Sequence, residues 1–163
     1  MGLMSPRLVV LCFLFRDTDS GSEVLLGLKK TGFGAGRIVT LGGGVEAGET
    51  DAQAAVREVA EESGVVVGVS QLTQLGRIRW RFPSQPAADM DAAIFTADEW
   101  AGTPQPTAEV DPAWYPVNDL PWEGMWEDAQ HWLGSVIAGE QLDVLVTLNP
   151  DNETVSSAVW ANP

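Results

Sequence analysis

Three carboxylates, Glu58, Glu61 and Glu62, lie near the end of a segment whose apolar spacing predicts a helix. At about 100° per residue they fall within one arc of about 100° on the helix surface, beside the arc expected to be buried. Like charges on one face repel each other, and a bound divalent cation would offset that cost. Oxygen-only ligands suit hard cations such as Mg²⁺ or Mn²⁺. The alternative is a solvated acidic face on an amphipathic helix.

The spacing around these carboxylates is more specific than the carboxylates alone. Gly43 is followed after five residues by Glu49, and Glu49 is followed after seven by the run REVAEESGV, from Arg57 to Val65. This pattern resembles the signature of the Nudix hydrolases, which Gly43–Val65 matches at every defined position. The resemblance implies metal-assisted cleavage between phosphates. It also implies a Nudix fold of the α+β class, in which a mixed sheet is flanked by helices in an α/β/α sandwich.

The resemblance also implies the residues of a metal site. The expected ligands are Gly42, Glu58, Glu61, Glu62 and Glu109. A turn is expected at residues 42–44, all glycine, and it would let backbone groups approach the ion, because glycine has no Cβ. Glu49 and Arg57 would orient the site, although without the motif each would be read as part of an ordinary helix salt bridge. Glu109 lies on a distal loop, where a solvated acid is the alternative, and the catalytic candidates are Glu49, Arg57, Glu61, Glu62 and Glu109. The general base stays open between Glu61, Glu62 and Glu109.

Further segments resemble the branch that clears oxidised purine nucleoside triphosphates such as 8-oxo-dGTP and 2-oxo-dATP. They are residues 25–37 (LLGLKKTGFGAGR), residues 102–104 with Glu109, Trp114, residues 120–121, and residues 125–128 with Trp132. By position, Trp126 would stack on the purine, Asp128 would bind its edge, and Lys29 would reach the phosphates. The expected substrate-binding residues are Lys29, Phe33, Val39, Leu41, Gly43, Phe82, Met90, Trp126, Glu127 and Asp128. Helix core packing is the alternative for Trp126 and the favoured interpretation for Trp132.

Two positions depart from that branch. Val39 stands where an asparagine would contact the base, and Ala129 stands where the second of two adjacent aspartates would read it. Such hydrogen bonds dominate specificity, so triphosphatase chemistry is expected to survive while the preference for 8-oxoguanine stays open. The expected function is Mg²⁺-dependent conversion of a purine (deoxy)nucleoside triphosphate, oxidised or modified, to monophosphate and pyrophosphate. The alternatives are a Nudix pyrophosphatase for an ADP-sugar or dinucleoside polyphosphate, and a non-catalytic Nudix ligand-binding domain.

Composition bounds the class of protein. The 163 residues fit one domain (1–163), and 45% hydrophobic residues indicate a globular chain. A net charge of −14 argues against binding nucleic acid polymers or anionic membranes, but not against an anionic small molecule held through a metal. The single Cys12 is expected in the core, and the apolar run after Arg7 reads as a strand rather than a signal peptide. A cytoplasmic protein is expected, either a monomer or a homodimer.

The remaining patterns predict the elements around the motif. Strands are expected at residues 8–15, 23–28, 37–41, 65–69, 72–82, 90–96, 113–117, 142–148 and 154–160. One helix begins at Glu49-Thr50, with Thr50 as N-cap, Gln53 completing a weak capping box, and Gly64 as the stop. A second helix is expected at residues 121–138, interrupted by Gly134. Strands alternating with two helices predict a mixed sheet with helices on its faces.

Overall fold

The computed structural model describes residues 5–161. The strands are β1 (Arg7–Thr18), β2 (Gly21–Lys29), β3 (Ile38–Val39), β4 (Leu41–Gly44), β5 (Thr73–Arg81), β6 (Met90–Ala97), β7 (Val110–Pro116), β8 (Leu142–Leu148) and β9 (Val155–Trp160). The helices are α1 (Asp51–Ser63) and α2 (Ala129–Ile137), and 3-10 turns cover Val69–Gln71, Pro86–Ala88 and Trp122–Gly124. Within residues 5–161, no helix is both long and apolar enough to cross a membrane.

The described strands form one mixed sheet in the order β3-β2-β1-β6-β5-β8-β9, with β4 paired to β1 and β7 paired to β2. The β1–β6 and β5–β8 pairs are parallel, and the other pairs are antiparallel. In the β1–β4 pair, Val10 lies opposite Gly43. This pairing places residues 42–44 in a strand beside β1, next to the first helix.

Alternate side chains of β1 enter two apolar cores on opposite faces of the sheet. Val9 and Phe13 pack in the core that α2 covers, whereas Val10 and Cys12 pack in the core that α1 covers. The expected α+β fold, an α/β/α sandwich around a mixed sheet, is therefore confirmed. Cys12 is buried as expected, and desolvation raises the pKa of its thiol to about 12, so the thiol stays protonated at neutral pH.

The ends of α1 follow the chemistry expected from the sequence. The Gln53 N–H donates to Thr50 Oγ1 (3.1 Å), and the Thr50 N–H donates to Gln53 Oε1 (2.9 Å), which closes a capping box. Gly64 ends the helix with a positive φ of 76°, and its N–H donates to the Ala60 carbonyl. These local signals define where the helix begins and ends, and so fix the phase of its carboxylates.

Three predicted elements are wrong. The strand expected at residues 37–41 is divided, since β3 ends at Val39 and β4 begins at Leu41. The glycines expected to form a turn after it, residues 42–44, belong to β4 and pair with β1.

Residues 65–69 do not form a strand, because Val66 makes only an isolated bridge with Ala101 and a 3-10 turn follows. Val65 and Val67 are buried under α1, while Val66 is 61% exposed. Val65 and Val67 therefore pack in the core under α1, and the described residues form only one bridge here rather than a paired strand.

The second predicted helix is also too long. Residues 121–128 form a 3-10 turn and an extended stretch at Met125, so α2 begins only at Ala129 and passes through Gly134 without interruption. A Cβ at Gly124 would lie 2.9 Å from Ile38 Cδ1, and the Met125 side chain is buried in the core. This close packing holds residues 124–125 out of helical conformation, so that Trp126 and Asp128 lie just before the helix.

Candidate active site

Two carboxylates of α1 are buried against the glycines of β4, residues 42–44. Glu62 is 5% exposed, and its Oε1 accepts a hydrogen bond from the Gly42 N–H at 2.8 Å. The carboxylate of Glu58 lies so close to Gly43 that a Cβ there would be 2.6 Å from its Cδ. A Cβ on Gly42 would clash with the backbone of Val10 on β1. Gly43 therefore gives the Glu58 carboxylate room beside β4, whereas Gly42 allows β4 to approach β1 closely.

Arg57 binds the loop before α1 to the carboxylates on it. Its Nε and Nη2 donate to the two oxygens of Glu49 at 2.7 and 2.9 Å, and Nη2 also donates to the Gly44 carbonyl. Nη1 donates to Glu58 at 2.8 Å and to Glu61 at 3.3 Å. Arg57 thus does more than form a simple helix salt bridge, because one guanidinium orients Glu58 and ties both sides of that loop together.

The electrostatics separate Glu49 from the buried acids. The hydrogen bonds from Arg57 lower the pKa of the Glu49 carboxyl to about 2, so Glu49 is ionised at neutral pH and its role is to hold Arg57. Desolvation is the main cause that raises the pKa of Glu62 to about 7 and raises that of Glu58. The charge of Glu109 raises both pKa values further. This exposed acid lies on the loop whose Thr107 Oγ1 donates to the Glu62 carbonyl at 3.2 Å.

The chemistry of these donors fits a divalent cation. In residues 5–161 no three His, Cys, Asp or Glu side chains converge tightly enough to hold an ion as they stand, because Arg57 Nη1 engages both Glu58 and Glu61. The donors are nevertheless all oxygens, and desolvated carboxylates of like charge need a compensating cation. A bound ion would therefore require Glu58 and Glu61 to turn from Arg57 towards it.

A cavity of about 260 Å³ opens beside this site, on the sheet face that α2 covers. It is lined by these predicted substrate residues: Lys29, Phe33, Val39, Gly43, Phe82, Met90, Trp126 and Asp128. Gly42 and Glu62 line it as well, so the cavity reaches one of the buried acids of α1. The cavity and the carboxylate site are therefore one continuous site.

Two predicted substrate residues point elsewhere. Leu41 is fully buried in the core beneath α1, since it alternates with Gly42 along β4 and faces the opposite side of the sheet. The Glu127 carboxylate accepts a hydrogen bond from the Val155 N–H and so faces the hairpin of β8 and β9. Neither residue lines the cavity.

Sequence reasoning missed several cavity residues: Arg7, Trp80, Met125, Asn152 and Glu153. Arg7 shares the side of β1 that carries Val9, which a period of two along the strand would have indicated. Asn152 and Glu153 come from the turn between β8 and β9, and no pattern in the sequence connects that turn with the motif.

The aromatic wall of the cavity is built around Trp126. Its ring stacks on Phe33 with centroids 5.3 Å apart, and the Arg37 guanidinium lies 4.0 Å from the Trp126 centroid. Phe33 is 69% exposed at the mouth of the cavity. Trp126 is therefore not a helix core residue, and a flat ligand that stacks on its ring would compete with Phe33 and Arg37.

Asp128 also lines the cavity and is 8% exposed. Its Oδ2 accepts hydrogen bonds from Trp80 Nε1 and Trp132 Nε1, each at 2.8 Å. Trp132 packs in the core as expected, with its ring edge-on to Phe13. These two indoles occupy one oxygen of the carboxylate, which leaves Oδ1 as the oxygen without a protein donor among the described residues.

The family model described as the NUDIX domain matches residues 5–136, and the chain belongs to the Nudix hydrolase family. It is 43% identical over 110 residues to the oxidized purine nucleoside triphosphate hydrolases of Mus musculus and Danio rerio, a match that covers 68% of this chain and 69% of each relative. It is also 35% identical over 118 residues to the NAD-capped RNA hydrolase NudC of Pseudomonas aeruginosa, where it covers 72% of this chain but only 38% of the relative.

Solved structures agree on the fold. The MutT protein of Bacillus halodurans superimposes with a TM-score of 0.80 at 22% identity, over 94% of this chain and 97% of that one. The NUDIX domain of Shewanella oneidensis NrtR gives a TM-score of 0.70 at 20% identity, over 83% and 89% of the two chains. These structures show the fold, whereas the family model and the two vertebrate relatives identify the chain as a Nudix hydrolase, an enzyme class that uses a divalent metal and acts on small nucleotide substrates.

Proposed function

We propose that this Nudix hydrolase is a Mg²⁺-dependent enzyme that cleaves a purine (deoxy)nucleoside triphosphate, oxidised or otherwise modified, to the monophosphate and pyrophosphate. The observation that carries the proposal is the continuity of the site. One cavity contacts Trp126 and Asp128 at the end suited to a flat heterocycle, and Gly43 and Glu62 at the end suited to phosphates. The similarity to the two vertebrate triphosphate hydrolases supports the same substrate class.

At the phosphate end, the residues that would hold Mg²⁺ are Glu58, Glu61, Glu62 and Glu109 with the backbone of Gly42. A bound divalent ion supplies positive charge that offsets both these carboxylates and the phosphate oxygens. Water then attacks a phosphorus atom, the bond to the leaving pyrophosphate breaks, and a carboxylate accepts the proton of the water. Glu61, Glu62 and Glu109 are the candidate bases, whereas Glu49 holds Arg57 and Arg57 orients Glu58.

At the base end, Asp128 contributes one carboxylate oxygen, Oδ1, to the edge of a purine stacked on Trp126. Val39 and Ala129, which also line the cavity, add no hydrogen bond to that edge. Fewer polar contacts give weaker discrimination between an oxidised base and the normal one. We therefore expect a lower ratio of activity on 8-oxo-dGTP to activity on dGTP than an asparagine and a second aspartate would provide.

The test is a panel of triphosphates that contains 8-oxo-dGTP, 2-oxo-dATP, dGTP, dATP, GTP and ATP, assayed for pyrophosphate release with Mg²⁺, with Mn²⁺ and with EDTA. The proposal predicts release from purine substrates that depends on the metal. The ratio of 8-oxo-dGTP to dGTP should rise in the double variant Val39→Asn and Ala129→Asp. Absence of release from every purine triphosphate would refute the proposed substrate class.

A second candidate is a pyrophosphatase for an ADP-sugar or a dinucleoside polyphosphate, and the apolar side chains of Val39 and Ala129 at the cavity wall favour it. The same assay with ADP-ribose and diadenosine polyphosphates in place of triphosphates separates the two. Activity that is unchanged in both Glu61→Gln and Glu62→Gln would show that the assigned metal site is wrong.

A further inference from the structure

Arg7 is a cavity residue with a fixed position and no role in the site described so far. It is the first residue of β1, where its N–H donates to the Asp89 carbonyl at 2.9 Å and it pairs with Met90 of β6. Its guanidinium contacts Gly44 of β4, since a Cβ at Gly44 would be 2.7 Å from Nη2 and 3.3 Å from Nε. Glycine at position 44 thus gives the guanidinium room beside the carboxylate site.

Within residues 5–161, no ion pair neutralises the charge of Arg7. The chain carries nine Lys and Arg residues at a net charge of −14, and five of the nine are in ion pairs: Arg16, Arg37, Arg57, Arg79 and Arg81. Among the other four, only Arg7 and Lys29 line the cavity. In the described part of the chain, no carboxylate pairs with the Arg7 guanidinium, although acidic residues outnumber basic ones by more than two to one.

Arg7 and Lys29 place positive charge near opposite ends of residues 42–44 in β4. The charge of Lys29 lowers the pKa of Glu62, whose carboxylate accepts the Gly42 N–H, whereas the Arg7 guanidinium lies on Gly44. Two residues of strand separate these points by about 7 Å. A chain of two or three phosphates that runs along residues 42–44 would therefore meet a positive charge near each end.

We propose that Arg7 is a phosphate-binding residue that holds the phosphate chain of the substrate over Gly44. Guanidinium groups bind phosphate through paired N–H donors, and such charge-assisted bonds are stronger than neutral ones. The inference rests on the proposed function for its nucleotide substrate, but the ligand it requires is the phosphate chain itself. In the alternative, Arg7 is a solvated residue at a strand end whose stem merely covers Gly44.

The test measures binding of inorganic pyrophosphate in the presence of Mg²⁺ by calorimetry, on the whole chain and on the variants Arg7→Ala and Arg7→Lys. The matched control is Arg77→Ala, because Arg77 is a β5 arginine that lies outside the cavity and has no ion pair among the described residues. Loss of one charge-assisted pair predicts that the Kd of pyrophosphate rises roughly 10- to 100-fold in Arg7→Ala. Arg7→Lys should recover part of that loss, and the control should match the wild type.

Thermal unfolding of each variant checks that the fold is intact. If Arg7→Ala does not fold, Arg7→Lys still tests the inference, because lysine keeps the charge but loses the paired donors. The inference is overturned if pyrophosphate binds a folded Arg7→Ala as tightly as the wild type, if Arg77→Ala weakens binding equally, or if the wild type binds no pyrophosphate. If the wild type binds pyrophosphate through Arg7 but cleaves no purine triphosphate, the proposed substrate fails while the role of Arg7 stands.

Discussion

Replacing Glu62 by glutamine should make the metal-free protein more stable at alkaline pH while abolishing most of its hydrolytic activity. The Glu62 carboxylate is 5% exposed, and its pKa rises from 4.5 to about 7, chiefly by desolvation. The folded state therefore binds a proton that the unfolded state has already released, and stability falls as pH rises from about 4.5 through about 7. A glutamine removes this loss, and its Oε1 still accepts the Gly42 N–H.

This rise in the pKa of Glu62 lowers the free energy of unfolding by roughly 3 kcal/mol above pH 7, but by less than about 1 kcal/mol at pH 5. Urea unfolding in EDTA, followed by tryptophan fluorescence, should therefore show Glu62→Gln gaining roughly 2 to 3 kcal/mol over the wild type between about pH 5 and about pH 8. Added Mg²⁺ should stabilise the wild type more than the variant, because the ion binds the folded carboxylates.

The control is Glu61→Gln, which removes the neighbouring carboxylate of a side chain that is 50% exposed and should leave the pH dependence of the wild type in place. If the wild type and Glu62→Gln lose the same stability between the two pH values, burial of the Glu62 carboxylate is not costly and the reasoning fails.

Three more outcomes follow from the site. Gly43→Ala should lower activity about 10²-fold by displacing the Glu58 carboxylate, and it should change the unfolding free energy by less than about 1 kcal/mol. Gly42→Ala should instead reduce the yield of folded protein, because its Cβ would clash with the backbone of Val10. Asp128→Ala should destabilise the protein by roughly 2 to 5 kcal/mol in urea unfolding, since two buried indole N–H groups lose their acceptor; Asp128→Asn should cost less, and equal stability of both variants would contradict this. Glu109→Gln should weaken Mg²⁺-dependent activity at least tenfold with an unchanged melting temperature, and full activity would identify a solvated loop acid.

The arrangement of the α1 carboxylates could be predicted from the sequence because its parts are local. The caps at Thr50 and Gly64 set the limits of α1, and a helical period then places Glu58 and Glu62 on one side. The position of Arg57 beside them follows from the same helix. Only the contact with the glycines of β4 depends on the sheet, and the glycines themselves indicated a close approach.

The cavity was only partly readable because it joins segments that are distant in sequence. Arg7 comes from β1, Trp80 from β5 and Glu153 from the turn after β8, and no local pattern relates them. Leu41 and Glu127 were assigned by position in a motif, without the strand direction or the hairpin contact that turns each side chain away. The extended conformation before α2 was also missed, because it results from packing of Gly124 against Ile38, a residue distant in sequence.

The double role of Asp128 has a consequence for how this enzyme changes over evolutionary time. Its carboxylate forms part of the cavity wall and is also the acceptor for two core indoles, so a mutation there alters the site and weakens the fold together. Val39 and Ala129 contact the same cavity without donating or accepting a side-chain hydrogen bond. New substrate preferences are therefore most accessible to a lineage through positions 39 and 129, while position 128 is held in place by the stability it provides.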